Sequence, residues 1–200
     1  MSFLDGNSQV PFISKYEIVS QVEGLLNEYW DGIFPVDVER ICDYLGIAII
    51  PVARLANEFR IDAFISADFK TIYVDAEKYK YNSYRYRFSV AHELGHYLLH
   101  REFFSSRVWS FEDWLGSSSG EMNGAVEFQA NYFAGSLLAP EDELLKVLDT
   151  RFGGSLAKNY YRTGRIEADR ILAGAQKVFG VSGQVINRRM RDAVYGWTIN

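Results

Sequence analysis

Hydrophobic and polar residues follow one another in regular patterns along the first third of the chain. Over residues 14–30, apolar side chains recur at three- and four-residue spacing, which predicts an amphipathic helix with Ser14 as its N-cap. A shorter helix is expected over 36–45, where Gly46 ends it. The next runs are β-branched or alternate between apolar and polar positions, and they predict strands over 47–52, 60–66 and 70–75, the last two paired as a hairpin.

The remainder of the chain is mainly helical in pattern. Helical spacing returns in four segments, over 84–100, 125–138, 141–148 and most of 166–191. The stretch 105–124 is rich in Ser, Gly and Trp and has no clear period, so we expect a mobile loop there.

These elements predict an α+β fold in three parts. We expect an N-terminal tail at 1–13, a compact domain at 14–150 with a small sheet, and a basic helical region at 151–200 that packs on this domain. Hydrophobic residues make up 48% of the chain and charged residues 24%, which is typical of a folded globular protein. The single cysteine, Cys42, cannot form an internal disulfide.

No apolar run approaches the roughly 20 residues that span a bilayer, and the first residues lack a secretory signal pattern, so a cytoplasmic protein is expected. The charge is uneven: the net value is −5, yet residues 151–200 carry nine Lys/Arg against three Asp/Glu. A basic region of this kind suits nucleic acid, an acidic partner, or the acidic remainder of the chain itself, and the sequence leaves these alternatives open.

The three histidines of the chain all lie on the helix predicted over 84–100. His92 and His96 are one helical turn apart, so both imidazoles project from one face and can bind a single metal ion. With Glu93 between them they form the His-Glu-x-x-His signature of zinc peptidases, in which the glutamate is the general base. The alternative is that both histidines lie on a core helix and form hydrogen bonds within the protein without binding a metal. The largely apolar segment before them, at 88–91, disfavours this alternative.

A catalytic zinc needs a third protein ligand, and His100 is too far along the helix to supply it. Eight residues separate it from His92, or about 12 Å of helix, whereas zinc–nitrogen bonds are about 2 Å long. We therefore expect His100 to be a residue near the helix C-terminus, where a histidine is favourable beside the negative end of the dipole.

Glu127, on the helix predicted over 125–138, is the carboxylate that we expect to complete the metal site. Phe128, Phe133, Leu137 and Leu138 are expected to anchor this helix in the core, whereas an irregular loop holds a ligand poorly. Asn131, one turn further on, is placed to hydrogen-bond a ligand histidine. A solvent-facing carboxylate at a helix start is the alternative role for Glu127. The other carboxylates considered are Glu102, Glu112, Asp113 and Glu121.

Two motifs carry a family resemblance. Residues 87–100 resemble the active-site helix of the ImmA/IrrE family of metallo-endopeptidases. Residues 127–140 are similar to its second motif, a Glu followed by Ala-Asn-x-Phe-Ala and a Leu-Leu-x-Pro close. The similarity covers roughly 14–140, and Gln129 stands where many relatives have a second acid.

The resemblance implies a zincin-like core with a Zn²⁺ ion, for which Mn²⁺ is the alternative, bound by His92, His96 and Glu127, with Glu93 as the catalytic base. It further implies endopeptidase cleavage of a specific protein partner. That partner is typically a helix-turn-helix transcriptional repressor, in mobile-element control or stress response, and no membrane is involved.

A rival hypothesis comes from residues 175–191, which resemble a helix-turn-helix with Gly180 at the turn. Three arginines, Arg188, Arg189 and Arg191, lie on the second helix of this segment and could contact DNA. In that case the protein would be a DNA-binding regulator and its metal site would be structural. The bulky Gln176, four positions before the turn glycine, argues against it.

Overall fold

A computed structural model describes residues 12–105, 121–152 and 165–195 of the 200-residue chain. The elements in chain order are α1 (Lys15–Tyr29), α2 (Val38–Tyr44), β1 (Ala48–Val52), α3 (Leu55–Phe59), β2 (Ala63–Ile65), β3 (Thr71–Asp75), α4 (Ala76–Tyr81), α5 (Ser83–Ser105), α6 (Glu121–Leu138), α7 (Glu141–Phe152), α8 (Arg165–Phe179) and α9 (Gly183–Tyr195). None of the helices in these described segments has both the length and the apolar character that a bilayer crossing requires.

The strands of the described residues form one small sheet in the order β1-β3-β2. The central strand β3 pairs in parallel with β1 and antiparallel with β2, with Phe64 opposite Tyr73. The predicted hairpin over 60–66 and 70–75 is thus confirmed, and so is the α+β class, because a largely helical chain contains this sheet. Since β2 has one neighbour only, it is an edge strand of the described sheet.

Local sequence signals explain where the first helices begin. Ser14 caps α1 through a capping box: its hydroxyl accepts from the backbone N–H of Glu17, whose carboxylate accepts from the N–H of Ser14 at 2.7 Å. Asp37 caps α2 by accepting from the N–H of Arg40. After α2, Gly46 has φ +71, as expected of the glycine that ends a helix.

The long helix α5 packs against the sheet through β2 and β3 and against α6 on another side. Gly95 of α5 faces Ala130 of α6, and a Cβ atom at position 95 would lie only 3.1 Å from the Cα of Ala130. A side chain at Gly95 would therefore force the two helices apart. This close approach brings the middle of α5 against the first half of α6.

Several elements differ from those expected. The short helices α3 and α4 fall in segments without a clear helical pattern, and α5 continues five residues beyond the predicted end at 100. Residues 106–120 of the region 105–124 lie outside the described residues, as do residues 1–11 of the tail. The helix α6 begins at Glu121, inside the stretch expected to be irregular.

The C-terminal helices α8 and α9 are joined at Gly180, whose φ of +62 lets the chain turn. Arg189 of α9 does not face solvent as the DNA-binding hypothesis requires. Only 3% of its side chain is exposed, its Nε donates to the carbonyl of Ala139, and a second nitrogen lies 3.4 Å from Asp192. The expectation that Arg189 could contact DNA was therefore wrong. Arg188 and Arg191 of the same helix are exposed.

Candidate metal centre

Three side chains from α5 and α6 converge on one point. His92 and His96 lie one turn apart on α5, and their Nε2 atoms are 3.0 Å apart. Glu127 of α6 reaches both rings: one carboxylate oxygen is 3.2 Å from Nε2 of His92 and the other is 3.3 Å from Nε2 of His96. The structure thus brings together the two histidines and the carboxylate that the sequence singled out.

The spacing and chemistry of this cluster fit a tetrahedral metal ion. Ligand atoms bound to zinc at about 2.0–2.1 Å with tetrahedral angles are about 3.3 Å apart. The two Nε2 atoms are 3.0 Å apart, each lies 3.2–3.3 Å from a different oxygen of Glu127, and one ligand atom from each residue lies within 4.8 Å of the other two. Imidazole nitrogens with a carboxylate oxygen are a donor set that zinc accepts, and three protein ligands leave a fourth position for water. The cluster is therefore a candidate metal centre.

Glu93 lies beside the cluster with its carboxylate anchored. It is 7% exposed, and one of its oxygens accepts a hydrogen bond of 2.9 Å from the backbone N–H of Ile65 in β2. Burial raises the pKa of Glu93 above its ordinary value, and the nearby His96 and His92 act against that rise. The contact with Ile65, which the sequence did not indicate, ties the helix that carries the histidines to the edge strand.

The pKa values within the cluster show how strongly its members interact. Burial acts to lower the pKa of His92, but hydrogen bonding to Glu127 and the charge of Glu93 outweigh it, so the pKa is raised. Burial likewise acts to raise the pKa of Glu127, and the hydrogen bonds from His92 and His96 hold it below its ordinary value. The carboxylate therefore stays ionised, as a metal ligand must.

Outer contacts orient both rings. Nδ1 of His92 lies 3.3 Å from Oδ1 of Asn131, the residue expected to contact a ligand histidine. Nδ1 of His96 lies 3.1 Å from Nδ1 of His100, whose Nε2 is 2.8 Å from Oε1 of Gln129. The eight residues between His92 and His100 exclude His100 as a ligand of the same ion, but this spacing did not reveal the contact between His96 and His100.

The expectation that His100 lies near the helix end was wrong. The helix α5 continues to Ser105, and His100 is fully buried on the face of α5 that packs against α6. This burial lowers the pKa of His100 to about 4, so its ring is neutral at physiological pH. A helical spacing of four from His96 was the available signal, since residues four apart share a face.

An open cavity of about 240 Å³ gives access to the centre. Its lining is mainly polar and includes His92, Glu93, Glu127, Asn131, Ala63 and the guanidinium groups of Arg60 and Arg85. Arg85 forms an ion pair with Asp62 at the beginning of β2. A second cavity of about 780 Å³ shares Arg85, Phe88 and Asn131 with the first and is also lined by residues of α9.

Comparison with protein-family models gives one match. The model of the peptidase M78 family, described as an IrrE N-terminal-like domain, matches residues 42–191. That span is three quarters of the chain and contains His92, Glu93, His96 and Glu127 as well as most of α9. A comparison with curated proteins found no match.

Proposed function

The chain belongs to the peptidase M78 family of IrrE N-terminal-like domains, and on that premise we propose that it is a zinc-dependent endopeptidase. The observation that carries the proposal is the convergence of two imidazoles and a carboxylate beside a buried glutamate. Its substrate is a specific partner protein, a helix-turn-helix transcriptional repressor by the family resemblance. Cleavage of such a repressor would act in mobile-element control or a stress response.

In this proposal His92, His96 and Glu127 bind the metal. Zinc held by these residues would supply Lewis-acid chemistry, which would lower the pKa of a water molecule toward about 7 and polarise the scissile carbonyl. Glu93 accepts the proton of the attacking water and delivers it to the leaving amine nitrogen. Because the N–H of Ile65 holds one oxygen of Glu93, the other oxygen is left for this proton transfer.

The edge strand β2 offers a means to hold the substrate. Two backbone hydrogen bonds to β3 flank β2: the carbonyl of Asp62 accepts from the N–H of Asp75, and the N–H of Ser66 donates to the carbonyl of Thr71. Backbone groups alternate in direction along a strand, so those of Ala63, next to Asp62, point away from β3. Ala63 also lines the cavity of the metal centre. An extended peptide that paired with this edge would have its backbone beside Glu93.

The proposal is tested by searching for new N-termini. The zinc-loaded wild-type protein and its Glu93→Gln variant are each incubated with a lysate of the source cell, and protein N-termini are compared by mass spectrometry. We expect a small set of N-termini that only the wild type generates, although both proteins bind one zinc ion. Identical sets with the two zinc-loaded proteins would contradict the proposal.

A further inference from the structure

The third histidine of the chain has a defined place between α5 and α6. His100 is fully buried, with Nδ1 3.1 Å from Nδ1 of His96 and Nε2 2.8 Å from Oε1 of Gln129. Gln129 is itself only 3% exposed. His96, His100 and Gln129 thus form a buried hydrogen-bonded chain that ends at the candidate metal centre.

The hydrogen-bonding capacities of these groups give the chain a direction. The Gln129 oxygen can only accept, so Nε2 of His100 carries a proton and donates it. A neutral imidazole has one N–H, which leaves Nδ1 of His100 as an acceptor. The hydrogen bond between the two Nδ1 atoms must then be donated by His96, and the lone pair of His96 is on Nε2.

That lone pair points at the centre. Nε2 of His96 is the atom that lies 3.0 Å from Nε2 of His92 and 3.3 Å from Glu127. The opposite arrangement, with the proton of His96 on Nε2, would direct an N–H at the position of a cation. It would also need a proton on Nδ1 of His100, and Nε2 of that ring would then face the oxygen of Gln129 without a hydrogen to donate.

The two ligand histidines are oriented by different means. Asn131 contacts the ring of His92 directly at 3.3 Å, whereas Gln129 acts on His96 through His100. Both amide residues lie on α6, the helix that also carries Glu127. One helix therefore supplies a ligand and both of the amides that set the ring protons of the other two ligands.

We infer that His100 and Gln129 are positioning residues that hold the ring proton of His96 on Nδ1 and so present Nε2 to the metal. The inference rests on the metal site of the proposed function and not on peptide cleavage. Partners of ligand histidines typically contribute a factor of about 10–100 to metal affinity. We expect zinc affinity to fall by a factor of this size when the hydrogen bond between His100 and Gln129 is removed.

Nitrogen NMR of an untagged, zinc-loaded protein labelled with ¹⁵N-histidine tests the proton positions directly. The chain has three histidines, so three rings account for the whole spectrum. Replacement of zinc by cadmium shifts the metal-bound nitrogens and identifies the two ligand rings. We expect Nδ1–H on these two rings and Nε2–H on the third. A proton on Nδ1 of the third ring would overturn the inference.

Substitutions at Gln129 provide a second test. They separate the effect of its acceptor oxygen, which sets the direction of the hydrogen bonds, from the effect of its packing. Gln129→Met keeps the length of the side chain but removes the acceptor, and we expect zinc affinity to fall about 10–100-fold. Gln129→Glu retains an acceptor oxygen and is expected to bind zinc at least as tightly as the wild type. Equal zinc affinity in all three proteins, or an equal loss in both variants, would overturn the inference.

These measurements distinguish the inference from the proposed function. Both use zinc as the probe and neither requires a substrate. A protein with the expected ring protons and affinities that cleaved nothing would retain the inference and lose the proposed activity. If Gln129→Met fails to fold, the NMR pattern of the wild type still decides the matter.

Discussion

Two pairs of helices carry the conspicuous polar residues of this protein, and they use them in opposite ways. In α5 and α6, the Nε2 atoms of His92 and His96 face each other at 3.0 Å beside the carboxylate of Glu127. In α9, which packs on α8, the buried Arg189 donates to the carbonyl of Ala139 and contacts Asp192. The first group gathers three potential metal ligands around one point, whereas the second pairs a donor with acceptors.

The difference shows what buried polar groups reveal about function. A donor that meets acceptors is satisfied by the fold and needs nothing further. Lone pairs that converge repel one another unless a proton or a cation lies between them. In the metal-free protein, protons shared between the histidines and Glu127 fill this role, and a metal ion bound there would replace them. Arg189, in contrast, is a structural link between α9 and the end of α6.

The largest effect is expected when the group of potential metal ligands is disrupted. Glu127→Ala removes one of three metal ligands, so we expect zinc affinity to fall by more than about 100-fold, beyond the loss caused by outer contacts. Glu102→Ala is the matched control, because Glu102 is an exposed carboxylate near the end of α5. Zinc titration with a competing chelator measures both. Equal affinities in the two variants would contradict the ligand assignment.

The second largest effect is expected at Arg189, the buried donor of α9. Arg189→Ala leaves the carbonyl of Ala139 without its side-chain donor and removes one of the two cationic partners of Asp192, the other being Lys15. We expect the free energy of unfolding to fall by about 2–3 kcal/mol. Arg188→Ala on the exposed side of α9 should change it by less than about 1 kcal/mol, since that side chain stacks over Phe128 at the surface. Chemical denaturation of the metal-free proteins distinguishes them. A larger loss in Arg188→Ala would reverse the assigned roles.

The close approach of α5 and α6 is tested at Gly95. A methyl group there would lie 3.1 Å from the Cα of Ala130 and 3.3 Å from the Cβ of Phe133. Gly24→Ala on α1 is the control, because a Cβ there meets nothing within 4 Å and should stabilise its helix by about 0.5–1 kcal/mol. Relative to this control, we expect Gly95→Ala to lower the free energy of unfolding by about 1–3 kcal/mol. Thermal unfolding measures both, and equal stabilities would contradict the tight packing.

A smaller effect is expected outside both helix pairs, at Asp75. Burial acts to raise its pKa, but hydrogen bonds from the backbone of Ala56, Lys78 and Glu77 outweigh burial and lower the pKa. Its ionised form therefore stabilises the fold above the unfolded-state pKa of about 3.9, and this contribution disappears as the pH falls through the lower folded-state pKa. Asp75→Asn keeps an acceptor for Glu77 and Lys78 but places an NH2 group against the N–H of Ala56. It should therefore cost about 1 kcal/mol at pH 7 and lose less stability on acidification. Identical pH profiles of unfolding in the two proteins would contradict this.

Much of the metal centre could be predicted because its spacing is local. His92 and His96 share a face wherever a helix forms. The apolar residues around Glu127 indicated that its helix is anchored, and Val126, Phe133, Leu137 and Leu138 are indeed buried, although Phe128 is 42% exposed. The contact between Ile65 and Glu93 joins residues 28 positions apart, and no local pattern carries such information. The same is true of Gln129 and His100, 29 positions apart.

The errors in the predicted fold have physical causes as well. The period of apolar residues predicts a buried face but not where a helix ends. The prediction therefore missed that α5 continues past His100 and that His100 is buried. The direction of Arg189 depends on tertiary packing against the carbonyl of Ala139, which residue type alone does not reveal. The helices α3 and α4 are five and six residues long, too short to show a period.

We expect α5 and α6 to bind one metal ion jointly. Anomalous diffraction at the zinc absorption edge, from crystals of protein purified with zinc, locates such an ion. We expect a peak about 2.0–2.2 Å from Nε2 of His92, Nε2 of His96 and a carboxylate oxygen of Glu127. Zinc bound to other residues, with these three side chains pointing to separate places, would contradict it.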